Sequence, residues 1–227
     1  MTLEVQTAYD PNTPRTQHDQ LAATMYGEIF KRVPSILNVA AGYTDLQKNL
    51  RAIGAQAEVT SLDAVFEGNE TANRRFGYAQ DLPFEDESFA ATMCQFGMQH
   101  ITSEQWGEAM REMVRVTQTA DSPRDPSKGV VLINPVFKAK KLEAALAAAG
   151  VDGVEGIAGV SYPDTSTFMP SVRKRVRPTL WIHKTPELTP DKLDAIVHAA
   201  TATEALKDTH RSLGEMVSRR FGGYSQL

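Results

Sequence analysis

The sequence predicts an α/β fold in which a mostly parallel sheet is covered by helices on both faces. Short apolar runs (36–40, 57–62, 89–96 and 129–134) alternate with stretches whose apolar residues recur at helical spacing. Parallel neighbours need a crossover of a dozen or more residues, and the first two runs are joined by a helical one. At 227 residues, 41% hydrophobic and 23% charged, the chain is also long enough to bury a sheet of this kind.

Residues 1–14 are polar, carry Pro11 and Pro14, and read as a flexible lead-in. From Arg15 to Lys31, Leu21, Met25 and Ile29 share one helical face, with His18 and Tyr26 on the same helix as candidate lid residues. After Pro34 comes the organising unit, 36–63. Ile36, Leu37, Val39 and Ala40 form a strand, and Gly42 makes a tight turn. Leu46, Leu50 and Ile53 then mark a helix closed by Gly54, and a second strand ends in Asp63. The spacing of Thr44 and Gln47 predicts a capping box at the helix start.

In a unit of this kind the ligand lies outside the carboxyl ends of the strands. Gly42 tolerates positive φ and is the point of closest backbone approach. Asp63, closing the second strand, is placed to take a ribose hydroxyl pair, so the unit predicts a nucleoside-containing ligand. A dinucleotide fingerprint would need glycines at 40, 42 and 45, where the chain has Ala40, Gly42 and Asp45. That pattern disfavours a nicotinamide oxidoreductase, since Asp45 would meet a pyrophosphate with the wrong charge.

Residues 65–75 are polar and read as an irregular loop or short helix, and 81–88, with Pro83, as turns. Phe89–Phe96 is an apolar strand with Cys94 packed inside it as a thiol rather than a nucleophile. Trp106, Ala109, Met110, Met113 and Val114 mark an amphipathic helix over 104–117. A charged loop with Pro123 and Pro126 follows, then a buried-type strand over 129–134 and a helix over 140–149 stopped by Gly150. Residues 154–162 and 179–184 supply two further strands. From Thr189 the pattern turns helical, with Leu193, Ile196, Val197 and Ala200 in one stripe, continued after a break by Leu206, Leu213 and Val217. The domain reading is 1–14 lead-in, 15–188 α/β domain and 189–227 C-terminal helical extension, which packs on the domain or on a second copy.

The net charge of −4 argues against a general nucleic-acid coat. Arg173, Lys174, Arg175 and Arg177 form one local basic cluster, read as a solvated sheet edge or an anchor for an anion. A single cysteine fits a reducing compartment, and no run approaches the length of a membrane span, so the expected setting is cytoplasmic. The five histidines are scattered without ligand spacing, and no metal site is expected.

The order of strand, Gly turn, helix, strand and Asp, followed by AQDLPFEDESF, a strand, QHI and EMVRV, resembles the class I S-adenosylmethionine-dependent methyltransferases over residues 20–185. The resemblance implies a Rossmann-like fold with a mostly parallel seven-stranded sheet whose last strand runs antiparallel. It also implies S-adenosyl-L-methionine as cofactor, S-adenosylhomocysteine as product, and methyl transfer to an unknown acceptor. Cofactor contacts would fall on Asn38, Ala40, Gly42, Tyr43, Asp63, Ala79, Gln80 and Gln95, with His100 as catalytic residue at the methyl-transfer cleft. The chain departs from the family at Asn38, where a carboxylate is usual, at Ala40 in the glycine-rich turn, and at Tyr78, where an acid often reads adenine. These departures leave a second reading open, a non-catalytic relative that serves as a binding or assembly module.

Overall fold

The computed structural model describes residues 25–95, 97–98, 101, 103–122, 125–136, 138–151, 156–162 and 177–203. Seven strands form one sheet in the order β3-β2-β1-β4-β5-β7-β6. They are β1 (Ser35–Val39), β2 (Glu58–Leu62), β3 (Arg74–Arg75), β4 (Ala91–Gln95), β5 (Val130–Asn134), β6 (Ala158–Ser161) and β7 (Thr179–His183). Every neighbouring pair is parallel except those of β7, which runs antiparallel to both β5 and β6. This is the Rossmann-like class I methyltransferase fold that the sequence predicted.

Among the described residues five α-helical segments cover the sheet: α1 (25–30), α2 (Leu46–Ala52), α3 (Ser103–Val116), α4 (Ala139–Ala148) and α5 (Pro190–Ala202). Alternate strand residues enter opposite cores, as the period of two requires. Ile36 and Met93 pack with Phe30, Leu46 and Leu50 of the α1 and α2 side. Leu37, Val39, Cys94 and Ile133 pack with Met110, Met113, Leu142 and Ile196 of the α3, α4 and α5 side. The central strands are therefore apolar on both faces, which is why they read as continuous hydrophobic runs.

Helix α5 packs on α3 and α4 of its own chain through buried Ile196, Val197, Ala199 and Ala200. Gly107 permits the approach, because a Cβ there would stand 3.1 Å from Val197 Cγ1. Thr189 caps the helix with Pro190 in its first turn, and Arg111 pairs with Asp194 at 2.8 Å across the surface. Leu206, Leu213 and Val217 lie outside the described residues.

Several boundaries move, each for a physical reason. The fourth strand begins at Ala91 rather than Phe89, because the Phe89 backbone is engaged elsewhere. Its N–H donates to Val116 O at 3.0 Å and its carbonyl accepts from Gln118 N–H at 2.8 Å, beyond the end of α3. Within 65–75 the chain forms a 3-10 turn (Ala64–Phe66) and the two-residue edge strand β3, whose two arginines give no hydrophobic signal. The sixth strand is described from Ala158, and Val154 lies outside the described residues.

Candidate functional site

Strand numbers rise outward from the β1–β4 pair, through β2 to β3 on one side and through β5 to β7 on the other before β6 closes the edge. The order therefore reverses at β1–β4, and the carboxyl ends of these two strands border the crevice. Val39 is in register with Leu62 on one side and Cys94 on the other. The turns that follow these strands carry Ala40, Gly42, Asp63 and Gly97.

The capping box is not formed. Asp45 is the N-cap of α2, with its side chain accepting from Lys48 N–H at 3.0 Å, and Thr44 Oγ1 instead donates to Ala41 O at 2.7 Å. Gln47 is drawn away by tertiary structure. Its Nε2 donates to Ala57 O and its Oε1 accepts from Val59 N–H, both at 2.8 Å, so it ties α2 to the β2 backbone. Asp45 thus has a structural use at the position where a dinucleotide fingerprint needs glycine.

Asp63 closes the turn. One carboxylate oxygen accepts from Gly42 N–H at 2.7 Å and the other from Val65 N–H at 3.0 Å. A carboxylate has about four lone-pair sites, so two acceptor sites remain for a ligand's hydroxyl pair. Gly42 sits at φ 58°, and a Cβ built on it would meet nothing within 4 Å, so the backbone there faces open space. Tyr43 lies edge-on to Phe66 with ring centroids 6.1 Å apart, and its hydroxyl reaches Val65 O at 3.4 Å. Asn38 is buried in β1 between Ser61 and Met93.

Beyond β3, Tyr78 and Asp81 form an isolated bridge, with Ala79 and Gln80 between them. Tyr78 is exposed and Ala79 is packed in the core, so Ala79 can offer a ligand little besides its backbone. Gln80 and Gln95 share an uncommon property. Gln80 Oε1 and Gln95 Nε2 are buried without a hydrogen-bond partner, a state that Thr185 Oγ1, just after β7, also has. Buried amide atoms are normally satisfied, and leaving one unpaired costs about 1–3 kcal/mol. Both residues are in the set expected to touch the cofactor, and a polar ligand would supply the missing partners. On this observation the residues fit the group that the family implies.

His100 and His18 lie outside the described residues, as do Arg173, Lys174 and Arg175. Arg177 is exposed, and its carbonyl accepts from buried Asn134 Nδ2 at 2.9 Å. Tyr26 is buried, with its hydroxyl bonded to Thr179 Oγ1 and its pKa pushed up by burial. It fastens α1 to β7 instead of standing free on a lid. Cys94 is a buried free thiol whose pKa burial pushes up to about 12, as expected of a packed cysteine rather than a nucleophile.

One functional-looking segment proves structural. Arg115, from EMVRV, donates to Glu112 (Nε to Oε1 and Nη2 to Oε2, both 2.7 Å) and to Asp86 Oδ1 at 2.7 Å. It also donates to the carbonyls of Phe84 at 2.9 Å and Leu82 at 3.0 Å, while Leu82 N–H donates to Glu112 Oε2 at 2.9 Å. The DLPFEDESF segment is therefore clasped onto α3 by one guanidinium. Neither the sequence spacing nor the residue types announced this, because the partners lie about thirty positions apart.

Among the described residues no helix is long and apolar enough to cross a membrane, and no cluster of His, Cys, Asp and Glu could hold a metal ion.

Residues 36–120 match the family model described as a methyltransferase domain. No curated protein matches the chain at a significant level. Among solved structures, the PH0226 protein of Pyrococcus horikoshii OT3 is 16% identical with a TM-score of 0.43, covering 83% of this chain and 82% of its own. A putative S-adenosyl-L-methionine-dependent methyltransferase (mmp1179) from Methanococcus maripaludis is 13% identical with a TM-score of 0.39, covering 82% of this chain and 98% of its own. The plantazolicin methyltransferase BpumL, solved with SAH, is 11% identical with a TM-score of 0.45, covering 75% of this chain and 84% of its own. Similarity this distant says nothing of the acceptor.

Proposed function

We propose, for a chain whose residues 36–120 match a methyltransferase domain, that it binds S-adenosylmethionine at the β1–β4 crevice and methylates an oxygen, nitrogen or carbon of an acceptor. The observation that carries this reading is the pairing of a Gly42 turn pinned by Asp63 with two glutamines that each bury one amide atom without a partner, Gln80 Oε1 and Gln95 Nε2. When bound, the cofactor supplies a methyl group activated on a sulfonium.

The chain's own part is placement, which can contribute several kcal/mol by holding reactants in an attack geometry. Asp63 holds the ribose hydroxyls on its two spare acceptor sites, and the bare Gly42 backbone lets the ligand lie close to the turn. Gln80 serves the base end and Gln95 the amino-acid end. Asn38 and Tyr43 border the turn, and Ala79 contributes through its backbone. His100 takes a proton only where the acceptor must lose one. A single buried free thiol supports a cytoplasmic setting.

Calorimetric titration of the full chain with S-adenosylmethionine, S-adenosylhomocysteine and NAD tests the reading. Binding of the first two and not the third is expected. Absence of binding at millimolar S-adenosylhomocysteine would overturn it in favour of an assembly module.

A further inference from the structure

Ala40 stands in the left-handed region at φ 53°, a conformation that costs a residue with a Cβ about 1 kcal/mol or more. It opens the turn that ends at Gly42. Opposite it, after β4, is Gly97, which is buried. A Cβ built on Gly97 would lie 2.2 Å from Ala40 Cβ and 2.8 Å from Cys94 Sγ. Real Cβ atoms do not approach so closely, so the Ala40 methyl occupies the space that a side chain at 97 would need.

The two turns at the crevice are thus fitted to each other, one with a methyl and one without. Ala41 N–H donates to Leu62 O at 3.1 Å and Gly42 N–H donates to Asp63 Oδ2 at 2.7 Å, so the residues after Ala40 are fixed to the end of β2. A displacement of Ala40 by about an ångström would have to be taken up in these bonds, because the interior around them is close-packed.

We infer that Gly97 is a positioning residue for the cofactor turn. Its missing side chain is what lets Ala40 replace a turn glycine while Gly42 stays on Asp63. The methyl of Ala40 is therefore directed into the gap at Gly97, not into the ligand's space. The ligand side of this inference rests on the cofactor reading above, and its steric side does not.

A double-mutant cycle on the full chain tests both sides, with Gly97→Ala, Ala40→Gly and the double variant read by melting temperature and by S-adenosylhomocysteine affinity. In the parent background Gly97→Ala should weaken binding about tenfold or more and lower the melting temperature by about 4 °C or more. In the Ala40→Gly background the same change should cost distinctly less in both readouts. The contact with Cys94 is common to both backgrounds and cancels in the cycle.

If Gly97→Ala does not fold but the double variant does, the inference holds in stronger form, whereas failure of both would overturn it. Equal costs in the two backgrounds would overturn it as well. Coupling in melting temperature without ligand binding by the parent would overturn the positioning role and the cofactor reading together, leaving a packing contact. Binding by the parent with coupling in neither readout would overturn the positioning role alone.

Discussion

The clasp around Arg115 and the crevice around Asp63 are both built from charged groups meeting backbone, yet they are finished to different degrees. At the clasp one guanidinium makes five hydrogen bonds to two carboxylates and two carbonyls, and Glu112 also takes Leu82 N–H. At the crevice Asp63 uses one hydrogen bond on each oxygen, and Gln80 Oε1 and Gln95 Nε2 use none. A saturated network holds a fold together, whereas an unsaturated buried one is costly unless something else completes it. The DLPFEDESF segment, one of the pieces that carry the family resemblance, thus serves the scaffold, and the proposed ligand site is the region whose hydrogen bonds are left incomplete.

The comparison is broken most directly at Arg115. Arg115→Ala leaves two carbonyls and two carboxylates without their donor and should destabilise the fold by about 2–3 kcal/mol, lowering the melting temperature by about 5–10 °C. Affinity for S-adenosylhomocysteine should stay within a few-fold of the parent. A large loss of affinity at unchanged stability would exchange the roles assigned to the two regions.

Asp63→Ala should fall on binding as well as on stability, since it also releases the Gly42 and Val65 N–H groups. Loss of charge-assisted bonds to the ribose should cost about 1.5–3 kcal/mol of binding, a ten- to hundredfold weaker Kd by calorimetry. Equal affinity would remove Asp63 from the site.

Gln95→Met sharpens the contrast further. Replacing a side chain whose buried Nε2 has no partner by an apolar one of similar size should leave the ligand-free protein as stable or up to about 1 kcal/mol more stable. Binding should weaken about fivefold, corresponding to the loss of one neutral hydrogen bond of about 1 kcal/mol. A lower melting temperature without ligand would mean that Gln95 is already satisfied in the free protein.

The smallest effect is on acid stability. The hydrogen bond from Arg115 is the main reason that Glu112 is held below its ordinary value of 4.5. A carboxyl whose pKa is depressed on folding contributes stability that is fully present above the unfolded value and is lost as pH falls through the folded one. The parent should therefore lose more stability than Arg115→Ala as pH drops below about 4.5. Parallel stability curves for the two proteins would show that the pair adds nothing on folding.

How much of this could be read in the sequence depends on how local the physics is. The strand–turn–helix–strand unit was legible because period, glycine position and a terminal acid are all properties of adjacent residues. The stripe of α3 and the buried part of α5 were legible for the same reason. Gln47 was misread because a capping box is a local rule, and the β2 backbone offered its amide two better-placed partners. The clasp of Arg115 and the fit of Ala40 to Gly97 were hidden because each joins residues that only the completed sheet brings together. Sequence reasoning treated Ala40 as an isolated departure, when its counterpart lies after β4.

The position of the lone cysteine has a practical consequence. Cys94 ends up behind the two fitted turns, with its sulfur 2.8 Å from where a Cβ on Gly97 would be. A thiol reagent can reach it only when that part of the molecule parts, and the chain holds no second thiol to confuse the signal. The protein thus contains a built-in, single-site clock for local opening. Its labelling rate reports how often the turns separate, on a timescale that a melting curve does not resolve.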